Sequence, residues 1–128
     1  MVYLDTSVAL ASLLVEDHRP PLTLWNHSIV SSRLVEYELW NRVNKLPTPK
    51  QAEDAGRALL SRIALLELLP DIVHRAREPF PVPLRTLDAL HLASAIFLRA
   101  EGVDVELATY DARMRVAADK LGLPLFDL

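Results

Sequence analysis

The chain contains no cysteine, which excludes disulfide staples and thiolate metal sites. Any metal it binds must be held by oxygens or histidine nitrogens, and an oxygen set favours magnesium or manganese. Aromatic residues fill only 6% of the positions, while leucine and alanine are abundant, a balance that favours helices covering a small sheet. No apolar run approaches the length of a membrane span. The opening MVYLD is β-like, with no basic segment leading into an apolar one, so the expected compartment is the cytoplasm. An excess of basic residues is also missing: the formal net charge is −3, and global charge therefore does not point to nucleic acid. Surplus acid has two ready explanations, carboxylates converging on a cation or a basic partner covering one face. What is present is a chain of 128 residues, 51% hydrophobic and 24% charged. That suits one folded domain with a sizeable core.

Strands and helices alternate along it. Met1–Leu4 reads as a strand ending at Asp5, followed by a helix over Ser7–Val15 that breaks at His18–Pro21. Asp5 or Thr6 suits the N-cap of that helix, and a cap uses only one carboxylate oxygen. Leu22–Asn26 makes a short helix and Ile29–Ser31 a strand. Ser31 or Ser32 then caps a helix through RLVEYELWNRVNKL, whose apolar stripe is Val35, Leu39, Val43 and Leu46. Glu36 and Glu38 project to nearly opposite sides of it. Periodicity puts Glu36 nearer the stripe and Glu38 at its edge, and leaves open which of them faces a site. A long helix opens at Thr48 or Pro49, and its tail, Leu65–Leu69, reads either as helix or as a short strand. Asp71–Arg77 is a short helix, and EPFPVP a rigid extended connection. Val105–Thr109 is a strand, followed by a helix through ARMRVAADKLG with Gly122 as its C-cap. Pro124–Leu128 closes the chain with a last short strand. The alternation predicts an α/β fold with a parallel sheet covered on both faces.

The stretch Leu84–Ala100, LRTLDALHLASAIFLRA, reads as a helix buried on most of its circumference. Asp88 lies near its start, where a carboxylate is costly unless it is paired, binds metal or faces a wet cleft. The plainer reading is a first-turn acid with Thr86 as cap. Asp5 and Asp111 each follow a strand and precede a helix, so a parallel sheet sets both at its carboxyl edge, where sites form in open α/β folds. Asp88 is placed to reach the same edge. Carboxylates converging there repel unless a cation neutralises them. A hard divalent ion activates water and stabilises charge on a phosphoryl oxygen. Arg85, Arg113 and Arg115 are candidates to hold a phosphate backbone. His91 reads as a satisfied histidine of a buried helix. Trp25 and Trp40 read as packing residues, and Tyr110 as a candidate for base stacking.

Four stretches, YLDTSVAL, SSRLVEYEL, LRTLDALHLASA and ATYDARMRVAADKLGLPL, run from end to end of the chain. In that order and spacing it resembles the PIN-domain nucleases, most closely the VapC-type toxins of toxin–antitoxin pairs. TLDALHLA is the most specific of the matches. The resemblance implies a three-layer α/β/α fold, with a small parallel sheet between helices, as a single domain over residues 1–128. It also implies an endoribonuclease, dependent on Mg²⁺ or Mn²⁺, that cuts single-stranded or loop RNA. Asp5, Glu38, Asp88 and Asp111 match the four acids of the family, with Asp5, Asp88 and Asp111 holding the metal and Glu38 completing the cluster. Thr6 and Thr109 match hydroxyl positions beside those acids and, with Arg85 and Arg113, are candidates for contact with RNA. A cognate antitoxin with a basic tail and a homodimer are the implied partners. Leu13, Leu14, Leu22, Trp25 and the helix carrying Trp40 are candidates for the antitoxin groove.

Two alternatives stand beside that reading. One is a catalytically silent module that binds RNA or an antitoxin without cleavage, against which the presence of all four acids argues. The other is a different phosphate enzyme, a DNA nuclease or a small phosphohydrolase. A phosphohydrolase commonly carries a second Asp two residues after the first, where this chain has Ser7.

Overall fold

The computed structural model describes residues 1–14 and 19–128. The expected helix end at Val15 and break at His18 lie outside the described residues. Four strands form one parallel sheet: β1 (Val2–Leu4), β2 (Ile29–Ser32), β3 (Ala64–Leu66) and β4 (Glu106–Ala108), in the order β3-β2-β1-β4. The register sets Val2 opposite both Ile29 and Glu106, and Val30 opposite Ala64. The chain runs from β1 outward through β2 to β3, and β4 then returns to the other side of β1. The crevice between β1 and β4 is therefore the topological switch point, where loops diverge at the carboxyl edge and leave room for a ligand.

Among the described residues six α-helices pack around the sheet: α1 (Thr6–Leu13), α2 (Leu34–Val43), α3 (Pro49–Leu60), α4 (Pro70–Arg77), α5 (Thr86–Ala100) and α6 (Ala112–Lys120), with a 3₁₀ turn at Leu22–Asn26. Strand alternation divides the core. Val2 and Leu4 join Val8, Val35, Leu39 and Leu59, from α1, α2 and α3, on one face. Tyr3 joins Leu92, Ala95, Met114 and Ala117, from α5 and α6, on the other. That is the expected three-layer arrangement. Each fully buried large side chain contributes roughly 1.5–3 kcal/mol relative to exposure. In α5 five consecutive residues, His91 to Ala95, are buried, as its unbroken apolar sequence requires.

One open reading resolves and two local expectations change. The long third helix stops at Leu60, and Ala64–Leu66 pairs with β2 as β3; the open edge of β2 draws in a leucine-rich segment that would otherwise suit a helix. Thr86 is the first residue of α5 and does not cap it, because the backbone turns helical after an extended Arg85. Pro124–Leu128 contributes only an isolated parallel bridge, Leu107 to Leu125, since Pro124 has no N–H to extend a ladder. Gly122 does follow the end of α6, at φ 71°, a left-handed conformation that suits glycine. None of the described helices is long and apolar enough to cross a membrane.

Candidate active site

Asp5 leaves β1 and caps α1 in one step. Its Oδ2 accepts from the Ser7 backbone N–H at 3.4 Å, the Ser7 hydroxyl at 2.7 Å and the Thr109 hydroxyl at 2.9 Å. Among the described residues no bond ends on its Oδ1. The residue is only 3% exposed, so a buried carboxylate is held on one side by two hydroxyls and a helix N-terminus. Its second oxygen is left for an outside partner.

Asp111 repeats the device after β4. Its Oδ1 caps α6 by accepting from the Met114 N–H at 2.9 Å, and its Oδ2 stands 3.6 Å from Nη2 of Arg85. Thr109, fully buried, links the two acids: its hydroxyl donates to Asp5 and accepts from the Asp111 N–H at 3.0 Å. Ser7 ties the same loops, accepting from the Tyr110 N–H at 3.0 Å while it donates to Asp5. Sequence reasoning did not single out Ser7; its signal is a hydroxyl two residues after a capping Asp.

Asp88 sits in the first turn of α5 and bonds Nε of Arg85 through Oδ2 at 3.2 Å. Burial, with the charges of Asp5 and then Asp111, pushes its carboxyl above the ordinary range, against the pull of Arg85. The three aspartates thus feel one another, and Arg85, reaching both Asp88 and Asp111, is the cation between them. Among the described residues no group of three or more His, Asp or Glu side chains stands together as a ready ligand set. The donors nonetheless fit a hard divalent ion in kind, because all are carboxylate oxygens and Asp5 keeps one unengaged. Arg85, Asp111, Ala112 and the exposed Arg113 line a cleft of about 350 Å³ beside these acids. Arg115 does not line it and donates to the Thr109 carbonyl at 3.2 Å.

Glu38 approaches from α2. Its Oε1 accepts from the Thr6 hydroxyl at 2.9 Å and lies 2.7 Å from Nε2 of His91; no bond from the described residues ends on Oε2. It shares a cleft of about 420 Å³ with Arg85, Thr86, Leu87 and Asp88. Glu36, which helix periodicity set nearer the apolar stripe, instead pairs with Arg33 at the surface. What flanks each side separates the two. Beside Glu38 lie Thr6 of α1 and His91 of α5, whereas Glu36 borders solvent. Thr6 and Thr109 are both buried, and their hydroxyls serve Glu38 and Asp5. His91 is satisfied, as expected of a buried histidine, and its partners are Tyr3 and the site acid Glu38. Burial pushes the Tyr3 phenol well above its ordinary range.

A second groove, about 320 Å³, begins at Thr6 and Glu38 and runs along α2 past Tyr37, Asn41, Arg42 and Lys45. Arg42 and Lys45 have no acidic partner among the described residues, and Tyr37 is 64% exposed. None of these was singled out from sequence, since an exposed i, i+4, i+8 row of Tyr37, Asn41 and Lys45 reads as a solvated helix face. Trp25 and Trp40 pack on the core, with Arg62 and Arg57 over their rings. Tyr110 packs there too. Of the candidate groove residues, Leu13 packs against the core, while Leu22 is 86% exposed.

Asp5 and Asp111 thus stand at the carboxyl edge of β1 and β4, on either side of the switch point, with Asp88 near enough to feel their charge. The PIN domain profile matches residues 2–120, and the chain belongs to the PIN domain family. Within it the chain is homologous to VapC ribonucleases. It is 37% identical over 126 residues to ribonuclease VapC46 of Mycobacterium tuberculosis, spanning 95% of this chain and 93% of that protein. To ribonuclease VapC47 of the same species it is 31% identical over 129 residues, with the same shares. The fold matches VapBC2 of Rickettsia felis, in a complex bound to a promoter DNA fragment, at a TM-score of 0.74 and 21% identity, over 98% of both chains. It also matches M. tuberculosis VapC20, a sarcin–ricin loop cleaving toxin, at a TM-score of 0.68 and 20% identity, over 91% of this chain and 95% of that one.

Proposed function

We propose that the protein is a ribonuclease of the VapC kind, the toxin of a toxin–antitoxin pair, hydrolysing phosphodiester bonds of single-stranded or loop RNA. The observation that carries this reading is that Asp5, Asp88 and Asp111 lie near enough for their charges to act on one another, while Arg85 borders both the cleft with Asp111 and the neighbouring one with Asp88 and Glu38. Asp5, Asp88 and Asp111 would hold Mg²⁺ or Mn²⁺. The ion's chemistry, when it is bound, is to lower the pKa of water and to neutralise charge on the phosphoryl oxygens.

The rest falls to the chain. Arg85 and Arg113, on the rim, hold phosphates. Arg42 and Lys45 extend that positive path along α2, with Tyr37 as a face for a base. Glu38, its Oε1 engaged, presents Oε2 to the attacking water and takes its proton. The water oxygen bonds to phosphorus as the P–O bond to the leaving ribose oxygen breaks. The leaving oxygen takes a proton from solvent water and Glu38 returns its own to solvent, giving a phosphomonoester end and a hydroxyl end. Fold relatives include a toxin–antitoxin complex from Klebsiella pneumoniae. This supports a small antitoxin as partner, one whose basic group enters the acid cleft where Arg85 now stands.

The test is cleavage of total RNA by purified protein with Mg²⁺ or Mn²⁺, beside an EDTA control and a folded Asp88→Asn variant. Discrete fragments from the wild type alone support the reading. Equal cutting by both proteins removes Asp88 from the site. Absence of cutting by antitoxin-free protein leaves a binding module.

A further inference from the structure

Glu38 must keep one oxygen toward the cleft, and the structure contains a device that enforces this. Tyr3, on β1, is fully buried, and its hydroxyl accepts the Ser32 backbone N–H at 3.1 Å. The same oxygen lies 2.7 Å from Nδ1 of His91, which is also fully buried. On the other side of the ring, Nε2 stands 2.7 Å from Oε1 of Glu38 and 3.0 Å from the Thr6 hydroxyl. Thr6 has a single hydroxyl proton, which goes to Glu38 at 2.9 Å.

One direction of donation satisfies the chain with a neutral ring. The Tyr3 oxygen already receives the Ser32 proton, and Nδ1 of His91, 2.7 Å away, is placed to accept its own. A neutral ring whose Nδ1 accepts must carry its proton on Nε2. That proton faces a carboxylate oxygen, which can only accept. Each donated proton along Ser32, Tyr3, His91, Glu38 and Thr6 then meets an acceptor, and no buried side-chain polar atom among the described residues lacks a partner.

We propose that Tyr3 and His91 are positioning residues for Glu38. Tyr3 holds His91 as its Nε2–H tautomer, and His91 with Thr6 saturates Oε1, so that Oε2 alone meets the water. The inference rests on the role given to Glu38 above. It makes the sheet backbone at Ser32 the anchor of a side chain that lies on α2, through a residue of α5. Three elements that meet only in the folded chain thereby share one orientation.

The experiment combines a spectrum with kinetics. Long-range ¹H–¹⁵N correlation on histidine-labelled wild type is expected to show His91 as a neutral Nε2–H tautomer. A Tyr3→Phe variant is expected to show a mixture of tautomers. In RNA cleavage, His91→Leu is expected to lower kcat by about 10–100-fold with KM little changed, the range typical of lost outer-shell support. His91→Gln, whose amide N–H can take the place of Nε2–H, is expected to recover most of that loss. Should His91→Leu not fold, Tyr3→Phe gives the same kinetic reading. An Nδ1–H or doubly protonated ring overturns the inference, as does a folded His91→Leu or Tyr3→Phe variant with wild-type kcat. A wild type that cuts no RNA overturns the ribonuclease reading and the positioning role with it, while the tautomer spectrum still reports on the hydrogen-bond chain by itself.

Discussion

Thr109→Val removes the hydroxyl that links the two strand-end aspartates while nearly preserving shape. In the wild type that hydroxyl donates to Asp5 at 2.9 Å and accepts from the Asp111 N–H at 3.0 Å. A hydrogen bond to a charged group is worth about 1.5–3 kcal/mol, and stranding a buried donor costs about 1–3 kcal/mol. Asp5 keeps the Ser7 hydroxyl and the Asp111 amide is only partly buried, so the lower part of both ranges applies, about 2–3 kcal/mol together. An unfolding entropy of about 2.1 cal/mol/K per residue gives roughly 0.27 kcal/mol/K for 128 residues. The expected fall in Tm is therefore about 7–11 °C. Thr109→Ser keeps both bonds and loses one methyl, which costs about 1 kcal/mol or about 4 °C. Differential scanning calorimetry of the three proteins at pH 7 should rank wild type above Ser above Val. A Val variant at least as stable as Ser would refute the claim that this hydroxyl, rather than the packing of its methyl, holds the strand ends together.

Other outcomes follow from the same geometry. Asp88 has its pKa raised in the fold, so its contribution favours the native state below the ordinary carboxylate pKa and is lost as pH rises through the raised value. Asp88→Asn should accordingly raise the Tm of metal-free protein at pH 7, with the gain vanishing below about pH 3, while RNA cleavage is abolished; a lower Tm at pH 7 would contradict the electrostatic account. Arg85→Gln removes the guanidinium that competes for Asp88 and Asp111, and Mn²⁺ titrated by calorimetry should bind severalfold more tightly; unchanged affinity would show that Arg85 does not guard the acids. In an Asp88→Asn background, the double change Arg42→Ala, Lys45→Ala should weaken single-stranded RNA binding and reduce the log–log salt slope by about 1.4. An unchanged slope would take RNA off the α2 groove.

Much of this protein is written locally. Asp5 and Asp111 could be placed at one sheet edge because strand, acid and helix follow one another within a few residues, and parallel strands share a carboxyl edge. Asp88 stood out because a charged group in an apolar helix needs a reason, and the four family stretches named the acids in order. Helix alternation, the absence of thiols and the buried character of α5 likewise depend on composition and period alone. Tertiary structure decided what lies between elements. Glu38 and Glu36 differ by two positions on one helix, and only the arrival of Thr6 and His91 beside the first sets the two apart. The leucine-rich tail of the third helix became β3 because the edge of β2 was open, and Pro124–Leu128 stayed a single bridge because its proline has no N–H to offer. The hydroxyls of Thr6, Ser7 and Thr109 and the ring of His91 acquired their roles the same way. Period and propensity act within a segment, whereas a hydrogen bond across 85 or 100 residues exists only once the chain has brought its two ends together.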